Sequence, residues 1–284
     1  MSAVLKVSAV LKARTTPRAI VLRTRGSRHG PITRLASPSD VGELIKPFVF
    51  LDLFDISAGN APNFGWHPHS GIATLTLVQK GAIEYQETTG VKGILAEGGI
   101  EWMRAGRGVW HTGAAVQQAK GFQLWIALPE ALESAPSQSQ YLSADLVPEE
   151  KPARVILGAH GDAQSSILAP KRINYLDVQL AAGERWTYQP PPDHDVAWLA
   201  VSDGTIGAPE PISAGELAVF EESNDAIVIR ADRAARFILG SAAKHPHDLV
   251  LGSYSVHTSE AALAAGESEI ERIGNQLATA GLLR

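Results

Sequence analysis

Apolar and polar residues alternate with a period of two along much of this chain. Ile72-Ala73-Thr74-Leu75-Thr76-Leu77-Val78-Gln79 is the clearest stretch, and such alternation predicts a strand with two chemically different faces. Lys80-Gly81 reads as a turn, Ala82–Glu87 as a continuing strand, and Thr88-Thr89-Gly90 and Glu97-Gly98-Gly99 as further turns. Gly121–Leu128 is another strand. A second series starts near Arg154 and includes Ile173–Leu180, Val196–Val201, Ala226–Arg230 and Ala235–Leu239. Between the two series, Pro129–Gln140 is rich in Pro, Ser, Ala and Gln and reads as a linker.

The C-terminus changes period. Ser259–Ala265 predicts a short helix ended by Gly266. Ser268 and Glu271 form a capping box, Ile270, Ile273 and Leu277 an apolar stripe, and Gly281 a C-cap. The predicted organisation is an N-terminal unit over 1–135, a C-terminal unit over 150–245 and a tail with a helix over 246–284.

The second strand series reads as a degenerate copy of the first. Val78-Gln79-Lys80-Gly81-Ala82-Ile83 is similar to Val201-Ser202-Asp203-Gly204-Thr205-Ile206, and the segment around Gly99 is similar to that around Gly215. Two like halves of short strands suggest a duplicated β-barrel.

Composition narrows the chemistry. The 284 residues are 45% hydrophobic, enough to bury two cores. A formal net charge of −5 gives no electrostatic reason to expect direct nucleic-acid binding. No apolar run approaches the roughly 20 residues of a membrane span. The positively charged start, Ser2–Lys12, reads as a short strand or a flexible arm. There is no cysteine, which removes thiolate ligands and fits a cytoplasmic location.

Histidine, aspartate and glutamate are then the strong metal-ligand candidates. His67 and His69 in Trp66-His67-Pro68-His69-Ser70-Gly71 are spaced i, i+2, so on a strand both imidazoles point to one face. His111 follows in Ala105-Gly106-Arg107-Gly108-Val109-Trp110-His111, where the glycines suit a tight turn better than a phosphate loop. Aligning Gly81 with Gly204 places His67 and His69 on Pro190 and Pro192, and aligning Gly99 with Gly215 places His111 on Ile227. Only the first half is therefore expected to hold metal. His194 is two residues out of register, His245-Pro246-His247 reads as an exposed turn, and His29 and His160 as structural or exposed. Trp66, Trp102, Trp110 and Trp125 read as barrel core, with one or two lining a cavity.

The chain resembles the pirin family of bicupins. The resemblance runs from Lys46-Pro47-Phe48-Val49-Phe50-Leu51-Asp52 through His67-Pro68-His69 and Trp102-Met103-Arg104-Ala105-Gly106-Arg107-Gly108 to Gly121-Phe122-Gln123-Leu124-Trp125. It implies an all-β fold of two tandem double-stranded β-helix barrels with a short C-terminal helical segment. It also implies one divalent metal in the first barrel, iron first, with zinc, manganese, nickel, cobalt or copper as alternatives. The family holds that metal with three histidines, which map onto His67, His69 and His111, and a glutamate two residues after the last. Here that position is Gly113, and Ala73 stands where many relatives have an acidic residue.

In relatives with quercetin dioxygenase activity, that glutamate takes the flavonol hydroxyl proton and offsets metal charge. Gly113 can do neither. Glu101 is the nearest carboxylate on a cavity-adjacent strand and is expected around a loop from the site, and Gln123 is a candidate weak oxygen ligand. The resemblance implies a dioxygenase acting on a flavonol or another small aromatic chelator. The alternative is a non-catalytic regulator that senses metal or ligand and binds a partner protein. Neither reading involves direct nucleic-acid or membrane contact.

Overall fold

A computed structural model describes residues 17–57 and 64–283. The Ser2–Lys12 arm lies outside them. The chain is built mostly from strands, in two large antiparallel sheets of nine and seven strands, with smaller sheets closing the barrels. Two long strands carry the first barrel. Ile72–Glu87 pairs with Ile100–Arg104 along its first half and with Lys92–Ala96 along its second, while Val109–Ala127 runs beside it throughout. The predicted Lys80-Gly81 turn is instead a bulge inside one strand. The register slips around it, and the chain bends from one barrel wall to the next.

The alternation read from the sequence separates two buried environments. Ala73, Leu75 and Leu77 face an apolar layer shared with the second half of the chain, where Tyr175, Trp198 and Ile238 meet them. Thr76, on the opposite face, points into the first barrel. The second barrel divides the same way, but its inward residues are Leu176, Val178, Leu199, Phe237 and Leu239, which fill the interior. One barrel is therefore hollow and the other packed.

The internal repeat is visible in hydrogen bonds. Gly98 N donates to Val78 O at 2.8 Å, and Gly215 N donates to Val201 O at 2.8 Å. Both glycines have φ near +80°. The equivalent of Gly215 is thus Gly98, one residue from the sequence alignment on Gly99. The corrected register places His111 on Val228, which is not a ligand either.

Several elements depart from the sequence reading. The predicted linker carries a short helix, Glu130–Glu133, and a strand, Gln138–Leu142, that pairs with Ile100–Arg104. The chain passes to the other large sheet only after Leu142, whose next strand is Glu149–Glu150. The strand Ile20–Thr24 pairs with Leu217–Phe220 in the seven-stranded sheet, so the start of the chain completes the later sheet. The C-terminus is one continuous helix, Glu260–Thr279, capped by the Ser259 side chain on Ala262 N. Gly266 does not end it. A Cβ there would lie 2.6 Å from both His257 Nε2 and Ser70 Oγ, so glycine is what lets the helix pack closely. Gly281, at φ +72°, is the left-handed residue after the helix, as expected. No described helix is long and apolar enough to cross a membrane.

A buried carboxylate ties the halves together. Asp177 is 0% exposed and accepts from both Arg236 and Arg154, and from Gln79 Nε2 at 2.9 Å. Arg236 also donates to Gln79 O, and Arg154 to Gly98 O, both in the first half. Removing one member of such a buried network leaves charge without a partner. Asp177→Ala should cost about 3–5 kcal/mol in denaturant-induced unfolding. Arg272→Ala, which breaks the exposed helical pair with Glu269, should cost under about 1 kcal/mol.

Candidate metal centre

The strand Phe64–His69 lies antiparallel to Val109–Ala127, with His67 opposite His111 and His69 opposite Val109. The i, i+2 spacing keeps His67 and His69 on one face, and the register brings His111 beneath them. Gly106 makes this approach possible. Its φ is +54°, and a Cβ would stand 2.1 Å from Ala135 O, so the chain reverses tightly before Val109. One ring nitrogen from each histidine falls within 4.8 Å of the others, the one such cluster among the described residues.

Two of the three rings are oriented from behind. His67 Nδ1 lies 2.8 Å from Gly65 O, and His69 Nδ1 lies 3.1 Å from Tyr254 O. A carbonyl only accepts, so each Nδ1 carries the proton and each Nε2 is left with a lone pair. His69 Nε2 and His111 Nε2 approach to 3.2 Å, a spacing two nitrogens adopt when they share one ion at about 2.0–2.1 Å. Burial, with His111 close by, holds the His67 imidazole down to about 4, and holds His69 well below its usual range. Both rings are neutral near pH 7, the form that donates to a metal. The donor set fits a divalent ion.

Glu101 is nearer than the sequence suggested. It sits on Ile100–Arg104, opposite Thr76, and its Oε1 lies 3.9 Å from His111 Nδ1. The Gly106 reversal does separate the two along the chain, but the strand pairing, invisible in local sequence, brings them together. Burial alone would push this carboxyl up. The His111 imidazole and the hydroxyls of Thr76 and Tyr141 outweigh burial and hold it below the ordinary carboxylate range. Thr76 Oγ1 lies 2.5 Å from Glu101 Oε2 and 2.8 Å from Gln123 Oε1. Gln123 thus faces the cavity as part of this polar cluster.

The cavity measures about 530 Å³ and is mostly apolar away from the histidines, with Phe54, Ile56, Phe64 and Ile83 along its walls. Gly113 lines it too. A Cβ there would meet Glu84 O at 3.3 Å, so a side chain fits with a shift of a few tenths of an ångström. Of the four tryptophans near the histidine motifs, Trp125 lines the cavity, stacked on Phe50 at 4.1 Å. Trp102 is core, and Trp110 donates to Ile270 O in the C-terminal helix.

The other histidines play structural parts. His194 is buried, with Nδ1 2.8 Å from Ser241 Oγ. His245, expected in an exposed turn, is buried with Nε2 3.3 Å from Leu128 O. His257 is buried as well, against Glu133 and Ser70. No local pattern announced either burial, because the partners lie more than 100 residues away.

A hollow first barrel with a histidine cluster beside a packed second barrel defines a bicupin. The chain belongs to the pirin family. The family model named Pirin matches residues 31–126. A pirin-like protein of Caulobacter vibrioides is 30% identical over 220 residues, covering 73% of this chain and 79% of its own. A Pseudomonas aeruginosa protein provisionally named a quercetin 2,3-dioxygenase is 31% identical over 228 residues, covering 74% and 79%. Among solved structures, a quercetin 2,3-dioxygenase from Acinetobacter baumannii superposes with a TM-score of 0.81 at 20% identity, covering 90% of this chain and 98% of the other. The Escherichia coli pirin YhhW in complex with nickel(II) superposes with a TM-score of 0.64 at 20% identity, covering 80% and 96%. These two likenesses establish the fold.

The depressed histidines make a pH prediction. Between pH 6.5 and about 4 the unfolded chain binds protons at His67 that the folded chain does not, and His69 acts in the same direction. Metal-free protein should therefore lose stability as pH falls through that window. His67→Gln should flatten the loss in thermal melts from pH 7 to pH 4. An unchanged slope would mean the ring is protonated normally in the fold.

Proposed function

We propose that this pirin holds one divalent metal through His67, His69 and His111 and binds a small aromatic chelator in the 530 Å³ cavity above it. The observation that carries this reading is the convergence of one ring nitrogen from each of the three histidines within 4.8 Å, with His67 and His69 braced from their Nδ1 sides. We assign iron first, because three imidazoles accept several first-row metals and the likeness to proteins named as quercetin 2,3-dioxygenases favours oxygen chemistry. Bound there, the metal would supply a Lewis acid and a route to dioxygen.

The chain's own groups do the rest. The apolar walls and Trp125 bury the ligand's ring system and exclude water. Glu101, charged and facing the cavity, is the carboxylate we assign as acceptor of a phenolic proton, the task Gly113 cannot perform. It also places one negative charge near the ion, offsetting part of the charge that three neutral imidazoles leave uncompensated. We place this activity in the cytoplasm, where a chain without cysteine needs no disulfide. A second reading, a regulator that binds a partner protein according to metal or ligand state, draws on the absence of a carboxylate at Gly113 itself. Oxygen uptake with a flavonol panel separates the two, since only the enzyme consumes dioxygen.

His111→Ala should abolish metal binding, measured as metal per chain after reconstitution, while the far-ultraviolet dichroism stays unchanged. The barrel is braced by its shared core, so metal contributes little to folding. Loss of the folded signal would refute that independence.

Glu101→Gln keeps the shape and removes the base. It should lower flavonol oxidation by about 10²–10⁴-fold. Gly113→Glu should tighten metal binding and restore part of that loss in the double variant. If Glu101→Gln oxidises flavonol as fast as the parent chain, Glu101 is not the base.

A further inference from the structure

The first barrel's site includes a piece of the far end of the chain. The hairpin formed by Val250–Gly252 and Ser255–His257 closes one side of the cavity, with Leu251, Tyr254 and Ser255 in its wall. Tyr254, at the turn, has φ +61°, a left-handed conformation that a tyrosine rarely adopts and that persists only where surrounding contacts impose it. In that conformation its carbonyl accepts from His69 Nδ1 at 3.1 Å.

What imposes it is a buried polar chain. Ser255 forms a parallel bridge with Ser70, next in sequence to His69. The Ser70 hydroxyl lies 2.9 Å from Ser255 Oγ and 3.0 Å from His257 Nε2. His257 Nδ1 lies 3.2 Å from Glu133 Oε2. Glu133 also accepts from Thr258 N at 2.8 Å and Thr258 Oγ1 at 2.7 Å. Ser70, His257 and Glu133 are all at most 2% exposed. Serine, histidine and carboxylate stand in the order a hydrolase uses, but Ser70 is 0% exposed and is not among the cavity-lining residues. The chain is built to hold, not to attack.

We propose that this Glu133–His257–Ser70 clasp positions the C-terminal hairpin so that the Tyr254 carbonyl orients His69, making the hairpin a working part of the metal site. The inference rests on the reading of His67, His69 and His111 as metal ligands. Partners that fix a ligating imidazole from its far nitrogen typically govern about 10–100-fold in metal affinity. Three bonds from His257 and Thr258 converge on the one buried carboxylate of Glu133 and leave little freedom for the hairpin to settle elsewhere.

The test is Ni²⁺ titration of the full chain by calorimetry, paired with hydrogen exchange over 250–258. Glu133→Gln should weaken Ni²⁺ binding by about 10-fold or more and speed exchange in the hairpin. Thr258→Val removes one bond to the clasp and should do the same more mildly, which keeps the test open if Glu133→Gln does not fold. Tyr254→Gly retains the carbonyl and suits a positive φ, so Ni²⁺ affinity should stay within about two-fold, whereas Tyr254→Pro, with φ fixed near −65°, should lose about 10-fold or more. Faster hairpin exchange with unchanged Ni²⁺ affinity would overturn the proposal. So would a Gly variant as weak as the Pro variant, which would assign the effect to the ring. If the parent chain binds no Ni²⁺, or His111→Ala binds it as well, the metal reading fails and takes this inference with it.

Discussion

The apolar layer between the two large sheets is the constraint on which the rest of the structure depends. Trp102, Phe122, Leu124 and Leu75 from one sheet meet Tyr175, Trp198 and Ile238 from the other, all fully or almost fully buried. Burying large side chains of this kind contributes roughly 1.5–3 kcal/mol each before entropy is counted. A barrel wall supported on its outer face in this way does not need a filled interior. The inward positions of the first barrel are therefore free to carry Thr76, Glu101, His111 and Gln123, where the second barrel carries Leu199, Phe237 and Leu239. Function in one barrel is made possible by packing shared with the other.

Within the hollow barrel, electrostatics is a problem of few charges in little water. Two imidazoles are kept neutral by burial and by the nearby His111, and one carboxylate is kept charged by His111 and two hydroxyls. A dication held by neutral ligands in such a place would be poorly compensated without that carboxylate. Gly113 lies on the strand that carries His111, and Glu101 stands two strands away, beyond Thr76, on the Nδ1 side of the same ring.

Much of this was legible in the sequence because it is local. The spacing of His67 and His69, the glycine turn before His111 and the alternation of Ile72–Val78 are short-range patterns with direct geometric meaning. The likeness of Val78–Ile83 to Val201–Ile206 marked the repeat, although the second glycine was misaligned by one residue because Gly98 and Gly99 adjoin. What local pattern could not give was pairing across the fold. The nearness of Glu101 to His111 depends on the register of three strands. The burial of His245 and His257 depends on partners at Leu128 and Glu133. Gly266 looked like a helix stop because the reason for a glycine there, His257 pressing on the helix, lies outside the helix.

The two halves also exchange ends. The strand Ile20–Thr24 leaves the first half to complete the sheet of the second, and the hairpin Val250–His257 returns from the second half to close the cavity of the first. Arg18, just before that first strand, is 2% exposed and donates to Glu221 O and Asp195 O, so the crossing is anchored rather than incidental. Such an exchange changes what duplication means here. The second barrel does more than fill space, since it contributes Trp198 and Tyr175 to the supporting layer and Asp177 to the joint. The chain that follows it brings the carbonyl behind His69 to the first barrel. Its inward residues are apolar, while its outer face and its trailing segment support the histidine site. The second half is then a structural component of the histidine site in the first, and substitutions far from the histidines in sequence can reach them through Tyr254 and Ser70.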